Sequence, residues 1–345
     1  MRDLPLPYRL FVHITDACNA RCTMCGIWRK PVKDELTTQE ILEVLGHSRH
    51  HIKWMDITGG EVFVRPDILE ILRFVAERMS RMTMFHFATN GLLTDRIVHG
   101  ARIILNSPIP RFIVTVSLDG PPDLHDRMRG VSGAWEQAVE TFRALRSIQV
   151  EVVFGMTLTE ENANRFDETL AAVSARVPGI RARDFHVNLA QVSELYYGNE
   201  GMLEPPGRGC LDALTAIHRK RGGGLGVVDY LERAYLSHAR TYLETGRSPM
   251  VCEALSSSAV LGPRGHVYPC IIFNRAIGNV RDAGYRIDRL WRREERKRLR
   301  AEIRRGRCPQ CWTPCEAYQA IIANTLPLGK HRFRLKRWRQ PTLER

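Results

Sequence analysis

Residues 10–25 read LFVHITDACNARCTMC and hold the most informative pattern in the sequence. The apolar run at 10–14 predicts a buried strand, and the cysteines that follow it, Cys18, Cys22 and Cys25, have the spacing C-x3-C-x2-C. Three thiolates can hold three irons of a [4Fe–4S] cluster and leave the fourth iron open to another ligand. Zinc is the alternative, but a structural zinc site needs four ligands, and His13 is better explained as a packed residue at the strand end.

Predicted strands and helices alternate outward from this stretch. The strands cover residues 10–14, 54–57, 83–88, 112–118, 150–157 and 185–189, and helical patterns lie at 37–47, 67–80, 94–104, 134–148 and 160–176. This alternation is typical of a parallel sheet with right-handed crossovers. Six strands are too few to close an eight-stranded barrel. The predicted fold class is therefore α/β, a partial (β/α)6 barrel of the TIM type.

Glycine-rich and polar loops follow the predicted strands, with TGGE at 58–61, TNG at 89–91 and SLDG at 117–120. Folds of this kind keep their chemistry in the loops after the strands, which meet at one rim. We therefore expect these loops to lie beside the three cysteines.

The pattern changes after residue 200, and four regions are expected: a barrel core at 1–200, a helical linker at 201–250, a small cysteine-rich domain at 251–325 and a basic tail at 326–345. Within the third region, residues 259–268 read as a β-hairpin and residues 287–305 as a basic helix with one packed face.

Composition narrows the class of protein. The 345 residues are 44% hydrophobic and 26% charged, which fits neither a disordered chain nor a membrane bundle. No apolar run reaches the ~18 residues of a spanning helix, and no signal-peptide pattern is present, so a cytoplasmic location is expected. Nine cysteines in a reducing compartment indicate metal or iron–sulfur ligation. The net charge of +13 comes from residues 286–307 and 330–345, which carry +7 and +6.

The cysteine loop and the loops after the strands together resemble the radical S-adenosylmethionine (radical SAM) superfamily, over residues 9–190 and, for an accessory domain, 252–318. The resemblance implies that Cys18, Cys22 and Cys25 bind a [4Fe–4S] cluster whose open iron is chelated by S-adenosylmethionine. One-electron reduction would then cleave the sulfonium to a 5′-deoxyadenosyl radical.

The same resemblance implies a set of contacts with S-adenosylmethionine: Met24, Gly59, Gly60, Glu61, Asn90, Ser117, Arg129 and Leu189. Arg129 would bind the carboxylate through its bidentate fork. Asn90 could instead only shape its turn, and Leu189 could be a core leucine. Val62 stands where proline commonly follows the Gly-Gly-Glu motif, which leaves the path of that loop open.

The late cysteines resemble the twitch domain, a shortened SPASM domain. Cys252, Cys270, Cys308 and Cys311 are expected to hold one auxiliary [4Fe–4S] cluster, with Cys315 either replacing one of them or spare. A zinc knuckle is the alternative, because C-x2-C pairs also suit tetrahedral zinc.

These patterns predict a radical SAM oxidoreductase. Because the cluster loop begins at Cys18, the sequence leaves no room before it for a peptide-recognition domain, and a small molecule (sugar-like, nucleoside or lipid-linked) is the expected substrate. A maturase of a ribosomal peptide is the alternative, and a zinc-stabilised nucleic-acid-binding protein is a more distant one. A flavodoxin- or ferredoxin-type protein is the expected electron donor.

Two further features are weaker. The turn after the sixth strand could face a substrate through Glu194, Tyr196 and Tyr197, although a packed aromatic turn explains them as well, and the nearby rim offers His186, Asn188 and Gln191. The tail at 330–339, KHRFRLKRWR, could contact an anionic membrane surface or a polyanion. No specific nucleic acid is expected.

Overall fold

The structure is a computed structural model, and it describes residues 4–204, 206–222 and 226–325. The strands are β1 (Arg9–His13), β2 (Trp54–Thr58), β3 (Met84–Thr89), β4 (Phe112–Ser117), β5 (Glu151–Leu158), β6 (Phe185–Leu189), β7 (Ser258–Leu261), β8 (His266–Tyr268) and β9 (Gly278–Asn279). They form one sheet in the order β6-β5-β4-β3-β2-β1-β7-β8-β9. All six predicted barrel strands are present, with ends that differ from the prediction by one residue at most.

The parallel α/β architecture is confirmed, since β1 to β6 are all paired in parallel. The helices are α1 (Thr38–Ser48), α2 (Ile68–Arg78), α3 (Thr94–Leu105), α4 (Pro122–Arg129), α5 (Ala134–Ser147), α6 (Phe166–Arg176), α7 (Arg208–Arg221), α8 (Val227–Thr245), α9 (Ile287–Trp291), α10 (Glu294–Arg304) and α11 (Pro314–Thr325). Strand residues alternate between two faces. The face with Phe154 packs on the helices, where Phe154 stacks on Phe142 of α5 at 3.9 Å.

Thr37, Thr94 and Thr159 each precede a helical pattern in the sequence and are therefore cap candidates. Thr37 and Glu40 form the reciprocal capping box at the start of α1, as their spacing indicates. Thr94 is instead the first residue of α3, whose N-cap is Leu93. The cap at Thr159 is also wrong, because α6 begins only at Phe166. The backbone N–H of Thr159 instead donates to Oδ1 of Asn162, which closes a local turn.

Helix α4 was not predicted from the sequence. Pro122 occupies its first turn and Gly130 ends it in a left-handed conformation, two local signals that favour a short helix between them. This helix positions Arg129, its last residue.

The cysteine-rich region shares the sheet of the barrel. Strand β7 pairs in parallel with β1, with Arg9 opposite Ser258 and Val12 opposite Leu261. The expected hairpin follows, with β8 antiparallel to β7. The barrel sheet therefore continues into the late region without a break, while the predicted boundaries at residues 200, 250 and 325 stay predictions.

The predicted basic helix at 287–305 is two helices, α9 and α10, with Arg292 and Arg293 between them. Two of its arginines, Arg296 and Arg300, are buried. Their guanidinium groups donate to the main-chain carbonyls of Trp291 and Leu255, and of Cys252 and Ala254, respectively. Among the described residues, no helix has the length and apolarity to cross a bilayer. The basic tail at 330–339 lies outside the described residues.

Candidate functional site

The loop with Cys18, Cys22 and Cys25 lies between β1 and α1 and is held from two sides. On one side, the backbone N–H groups of Arg21 and Thr23 donate to carbonyls at the end of α4, both at 2.8 Å. These bonds fix the middle of the cysteine loop against the helix that carries Arg129.

On the other side, the turn at residues 193–199 packs against the end of the loop. Gly26 donates its N–H to the carbonyl of Tyr197 at 2.8 Å, and Nδ2 of Asn199 donates to the carbonyl of Met24 at 2.9 Å. Nζ of Lys30 donates to the carbonyl of Glu194 at 3.1 Å and to the next two carbonyls. The turn that follows β6 is thus part of the support of the cysteine loop.

The three thiols lie in an apolar setting formed with Ala20, Met24, Leu124 and Met128. Burial raises the pKa of Cys18 to about 12 and that of Cys25 to about 11. Thiols of this kind are protonated at neutral pH, so binding iron would release protons.

Gly59 and Gly60 let two loops approach each other closely. A Cβ at Gly60 would lie 2.2 Å from the carbonyl oxygen of Ala17, and one at Gly59 would lie 2.4 Å from that of Thr15. The N–H of Gly60 donates to the Thr15 carbonyl at 2.9 Å. Any larger residue would push the start of the cysteine loop away from β2.

Glu61 is 1% exposed and joins three loops. Its carboxylate accepts the N–H of Asn90 at 2.7 Å, the hydroxyl of Thr89 at 2.9 Å and the N–H of Phe63 at 3.2 Å. Burial raises its pKa to about 6. Asn90 in turn donates Nδ2 to Oδ1 of Asn19, inside the cysteine loop, at 2.7 Å.

A buried ion pair lies beside the second cysteine. Nη2 of Arg129 is 2.6 Å from Oδ2 of Asp119, whose side chain is fully buried, and Nη1 of Arg129 is 3.8 Å from Sγ of Cys22. Burial raises the pKa of Asp119, and Arg129 opposes that rise. Ser117 stands at the end of β4, two residues before Asp119, and is half-buried.

The remaining predicted site residues have protein partners in the structure. Leu189 is 3% exposed and lies in the main core. The Tyr196 hydroxyl is 2.5 Å from the Thr58 hydroxyl, and its ring lies 4.8 Å from that of His13. Glu194 is exposed and accepts Nδ2 of Asn274 at 3.0 Å. These contacts agree with a packed aromatic turn, and a catalytic role for Glu194, Tyr196 or Tyr197 stays a prediction.

A cavity of about 340 Å³ lies in the late region. The thiol-bearing residues that line it are Cys252, Cys270, Cys308 and Cys311. Across residues 4–204, 206–222 and 226–325, no three histidine, cysteine or acidic side chains converge closely enough for a single ion. Four thiols spread around one cavity suit a polynuclear cluster better than one zinc ion, which needs four ligands at about 2.3 Å.

Cys315, whose part in the auxiliary site the sequence left open, lies outside the lining of this cavity. Its carbonyl accepts a hydrogen bond from Nη1 of Arg9, on β1. Burial raises the pKa of its thiol to about 12, and the charges of Arg9 and Asp56 act on it from the barrel side. The neighbouring Glu316 does line the cavity, and burial raises its pKa to about 7.

The inner face of the barrel carries polar chains that the sequence did not reveal. Asp56 accepts Nε of Arg9 at 2.8 Å and lies 3.1 Å from Nδ1 of His86, whose Nε2 is 2.9 Å from the Thr115 hydroxyl. Each of these four residues lies on a different strand. Only the alternation of residues between the two faces of each strand, β1 to β4, could have indicated that they share a face.

A second polar chain lies at the open side of the barrel. Nδ1 of His186, on β6, is 2.7 Å from Oε1 of Glu232, on α8, and the Tyr318 hydroxyl of α11 contacts both groups. Oε2 of Glu232 is 3.9 Å from Nη2 of Arg221.

Two family profiles match the chain. The radical SAM superfamily profile matches residues 12–173, and the profile of SPASM, an iron–sulfur cluster-binding domain, matches residues 252–316. Residues 12–173 of the chain thus form a radical SAM domain. Both motif regions identified in the sequence fall inside the matched segments.

Three curated relatives are similar to this chain. The sporulation killing factor maturation protein SkfB of Bacillus subtilis (strain 168) is 26% identical over 170 residues, 49% of this chain and 40% of SkfB. The antilisterial bacteriocin subtilosin biosynthesis protein AlbA of the same organism is 24% identical over 329 residues, 89% of this chain and 66% of AlbA. The AdoMet-dependent heme synthase of Methanosarcina barkeri (strain Fusaro / DSM 804) is 25% identical over 323 residues, 86% of each chain. The chain thus spans less than two thirds of SkfB and AlbA.

A solved structure has the same fold. Streptococcus suis SuiB bound to its precursor peptide SuiA superposes with a TM-score of 0.63 at 16% identity, over 87% of this chain and 68% of SuiB.

The two domains imply cofactors. A radical SAM domain implies a [4Fe–4S] cluster and S-adenosylmethionine, and a SPASM domain implies auxiliary iron–sulfur clusters. The residues present fit both groups: three thiols stand on one supported loop, and four more line one cavity.

Proposed function

We propose that this chain is a radical SAM maturase that oxidises a side chain of a ribosomally made peptide. The similarity to AlbA, a bacteriocin biosynthesis protein, carries the proposal, because it extends over 89% of this chain and so includes both the barrel and the late cysteines. SkfB, also similar, is a maturation protein. SuiB, with the same fold, is bound to a precursor peptide.

The expected small-molecule substrate is less well supported than this alternative. The small molecule was inferred from the early position of Cys18. However, AlbA, which is named for the biosynthesis of a bacteriocin, aligns over 89% of this chain. The early position of Cys18 in the sequence is therefore not a criterion for excluding a peptide substrate.

Cys18, Cys22 and Cys25 are the proposed ligands of the first cluster. When bound, that cluster and S-adenosylmethionine supply a 5′-deoxyadenosyl radical that abstracts a hydrogen atom. Arg129 is proposed to hold the methionyl carboxylate, since a guanidinium near the cysteines is oriented by the buried Asp119 at 2.6 Å. Met24, Gly59, Gly60, Glu61, Asn90, Ser117 and Leu189 remain the proposed surroundings of the same ligand.

Cys252, Cys270, Cys308 and Cys311 are the proposed ligands of one auxiliary cluster. Such a cluster could accept an electron from an oxidised substrate, because iron–sulfur potentials span roughly −700 to +450 mV. Arg300 supports the first of these residues by donating to the carbonyls of Cys252 and Ala254. A flavodoxin- or ferredoxin-type donor for the first cluster is part of the proposal.

The test is anaerobic turnover of the reconstituted protein with S-adenosylmethionine and dithionite, with each short peptide encoded by the neighbouring genes supplied in turn. We expect 5′-deoxyadenosine, together with loss of hydrogen atoms from one of the peptides in tandem mass spectra. A variant with Cys18, Cys22 and Cys25 all changed to Ala should form neither. Production of 5′-deoxyadenosine with every peptide left unmodified would contradict the peptide proposal.

A tetrapyrrole substrate is the second candidate. The AdoMet-dependent heme synthase aligns with 86% of this chain and 86% of its own length, so the similarity is as extensive as that of AlbA. A modified porphyrin precursor in the same assay, with unmodified peptides, would favour this candidate.

A further inference from the structure

The inner face of the barrel places His186 level with the proposed S-adenosylmethionine site. Ser117 on β4 is in register with Gly155 on β5, and Gly155 is in register with His186 on β6. Residues in register on parallel strands share a face, so His186 stands two strand spacings, about 10 Å, from Ser117. The position of β5 between them is Gly155, and the Cγ2 methyl of Thr115 on β4 lies over it, 2.5 Å from where a Cβ would stand.

His186 is held in one orientation from outside the sheet. Its Nδ1 lies 2.7 Å from Oε1 of Glu232, and the hydroxyl of Tyr318 donates to the same oxygen. The side chain of Glu232 is 6% exposed, that of His186 19%. Since a carboxylate accepts but does not donate, the hydrogen bond to Glu232 places a proton on Nδ1, and in the neutral imidazole this leaves the lone pair on Nε2.

The charged and titratable groups around His186 are few. Glu232 faces it from α8 and Tyr318 from α11, and Arg221 of α7 lies behind Glu232 at 3.9 Å. Within the described residues, no hydrogen bond or ion pair is found at Nε2 of His186, whereas both ring nitrogens of His86 have partners, Asp56 and Thr115.

We propose that His186 is the base that takes a proton from the substrate, with Glu232 and Tyr318 as positioning residues. This rests on the proposed function. The substrate first loses a hydrogen atom to the adenosyl radical as a C–H bond breaks. It then loses a proton to Nε2 of His186, forming an N–H bond, and an electron to the auxiliary iron–sulfur cluster. The net change is a two-electron oxidation of the substrate.

The role of His186 is tested in the reconstituted enzyme, with the peptide that the wild-type enzyme modifies. Three variants are compared: His186→Gln, Glu232→Gln and the matched control His86→Gln. His186→Gln should keep the formation of 5′-deoxyadenosine within about twofold while product formation falls about 100-fold, the usual loss for a general base. Product formation should fall less in Glu232→Gln than in His186→Gln. In His86→Gln, the amount of product formed per 5′-deoxyadenosine should stay as in wild type.

A second measurement needs no turnover. Diethyl pyrocarbonate labels free imidazole nitrogens, so mapping of labelled peptides from the cluster-loaded protein should find His186 modified and His86 protected. Product formation by His186→Gln equal to that of His86→Gln, or protection of His186, would overturn the assignment. Absence of 5′-deoxyadenosine in wild type would instead contradict the proposed function.

Discussion

Oδ2 of Asp16, just before the cysteine loop, lies 3.0 Å from Nη2 of Arg264, in the turn between β7 and β8. Oδ1 of the same carboxylate lies 3.0 Å from Nε2 of His13. Asp16 is 1% exposed; burial favours its neutral form, but His13, Lys30 and Arg264 together hold the pKa of its carboxyl below the usual value. The late hairpin therefore contributes directly to the base of the first cysteine loop.

Arg264→Gln should lower the free energy of unfolding by about 3 kcal/mol, because it leaves a buried carboxylate with one partner fewer. Anaerobic denaturation with guanidinium measures the loss. Arg165→Gln is the control, since the Arg165–Glu168 pair lies at the surface and its loss should change the free energy of unfolding much less. If both variants lost the same free energy of unfolding, Arg264 would not stabilise the buried carboxylate of Asp16.

Cys315→Ser should keep the auxiliary cluster, because Cys315 lies outside the cavity that the other four late cysteines line. Cys311→Ser, four residues earlier on the same segment, should lose it. Iron analysis should give about eight irons per chain for wild type and Cys315→Ser, and about four for Cys311→Ser. An iron count that drops in Cys315→Ser would make this thiol a ligand.

Gly60→Ala should destabilise the protein by about 3 kcal/mol and reduce the iron held by the first cysteine loop, because its Cβ would lie 2.2 Å from the Ala17 carbonyl oxygen. Gly46→Ala is the matched control: it lies within α1, and its Cβ would make an ordinary contact at 3.7 Å with Phe74. This control should be neutral or stabilising by about 1 kcal/mol. Unfolding curves and iron content are the measurements, and a normal iron content in Gly60→Ala would refute the proposed close packing.

Glu316→Gln should flatten the pH dependence of stability between pH 4.5 and about 7. Burial raises the pKa of Glu316 from 4.5 to about 7, so the folded chain keeps a proton that the unfolded chain has lost. The stability that this carboxyl contributes is complete below pH 4.5 and is lost as pH rises through 7. The loss is on the order of 3 kcal/mol. Unfolding of the cluster-free protein at several pH values measures it, and identical curves for variant and wild type would contradict the assignment.

The sequence predicted the strands of the barrel and the two cysteine regions because both depend on local patterns. Apolar runs in the sequence predicted β1 to β6, and the short spacings between cysteines predicted the two cysteine regions. The short helix α4 carried local signals too, Pro122 and Gly130, that were not used.

Contacts between distant segments could not be predicted in the same way. Nothing in residues 258–261 indicates that they pair with β1. His186, Glu232 and Tyr318 come from a strand and two helices separated by up to 132 positions. The burial of Arg300 was equally hidden, since its partners include the carbonyls of Cys252 and Ala254 and the carboxylate of Glu253, all distant from it in sequence.

The parallel pairing of β1 with β7 has a consequence for how this protein can be divided. A chain cut after the sixth barrel strand would leave the edge of β1 at Arg9–Val12 without the ladder that β7 provides. Such an uncovered edge invites association with other chains. The iron–sulfur end of the molecule is thus a stabilising part of its catalytic half, and exchanging it with that of a relative would require replacing the neighbouring strand as well.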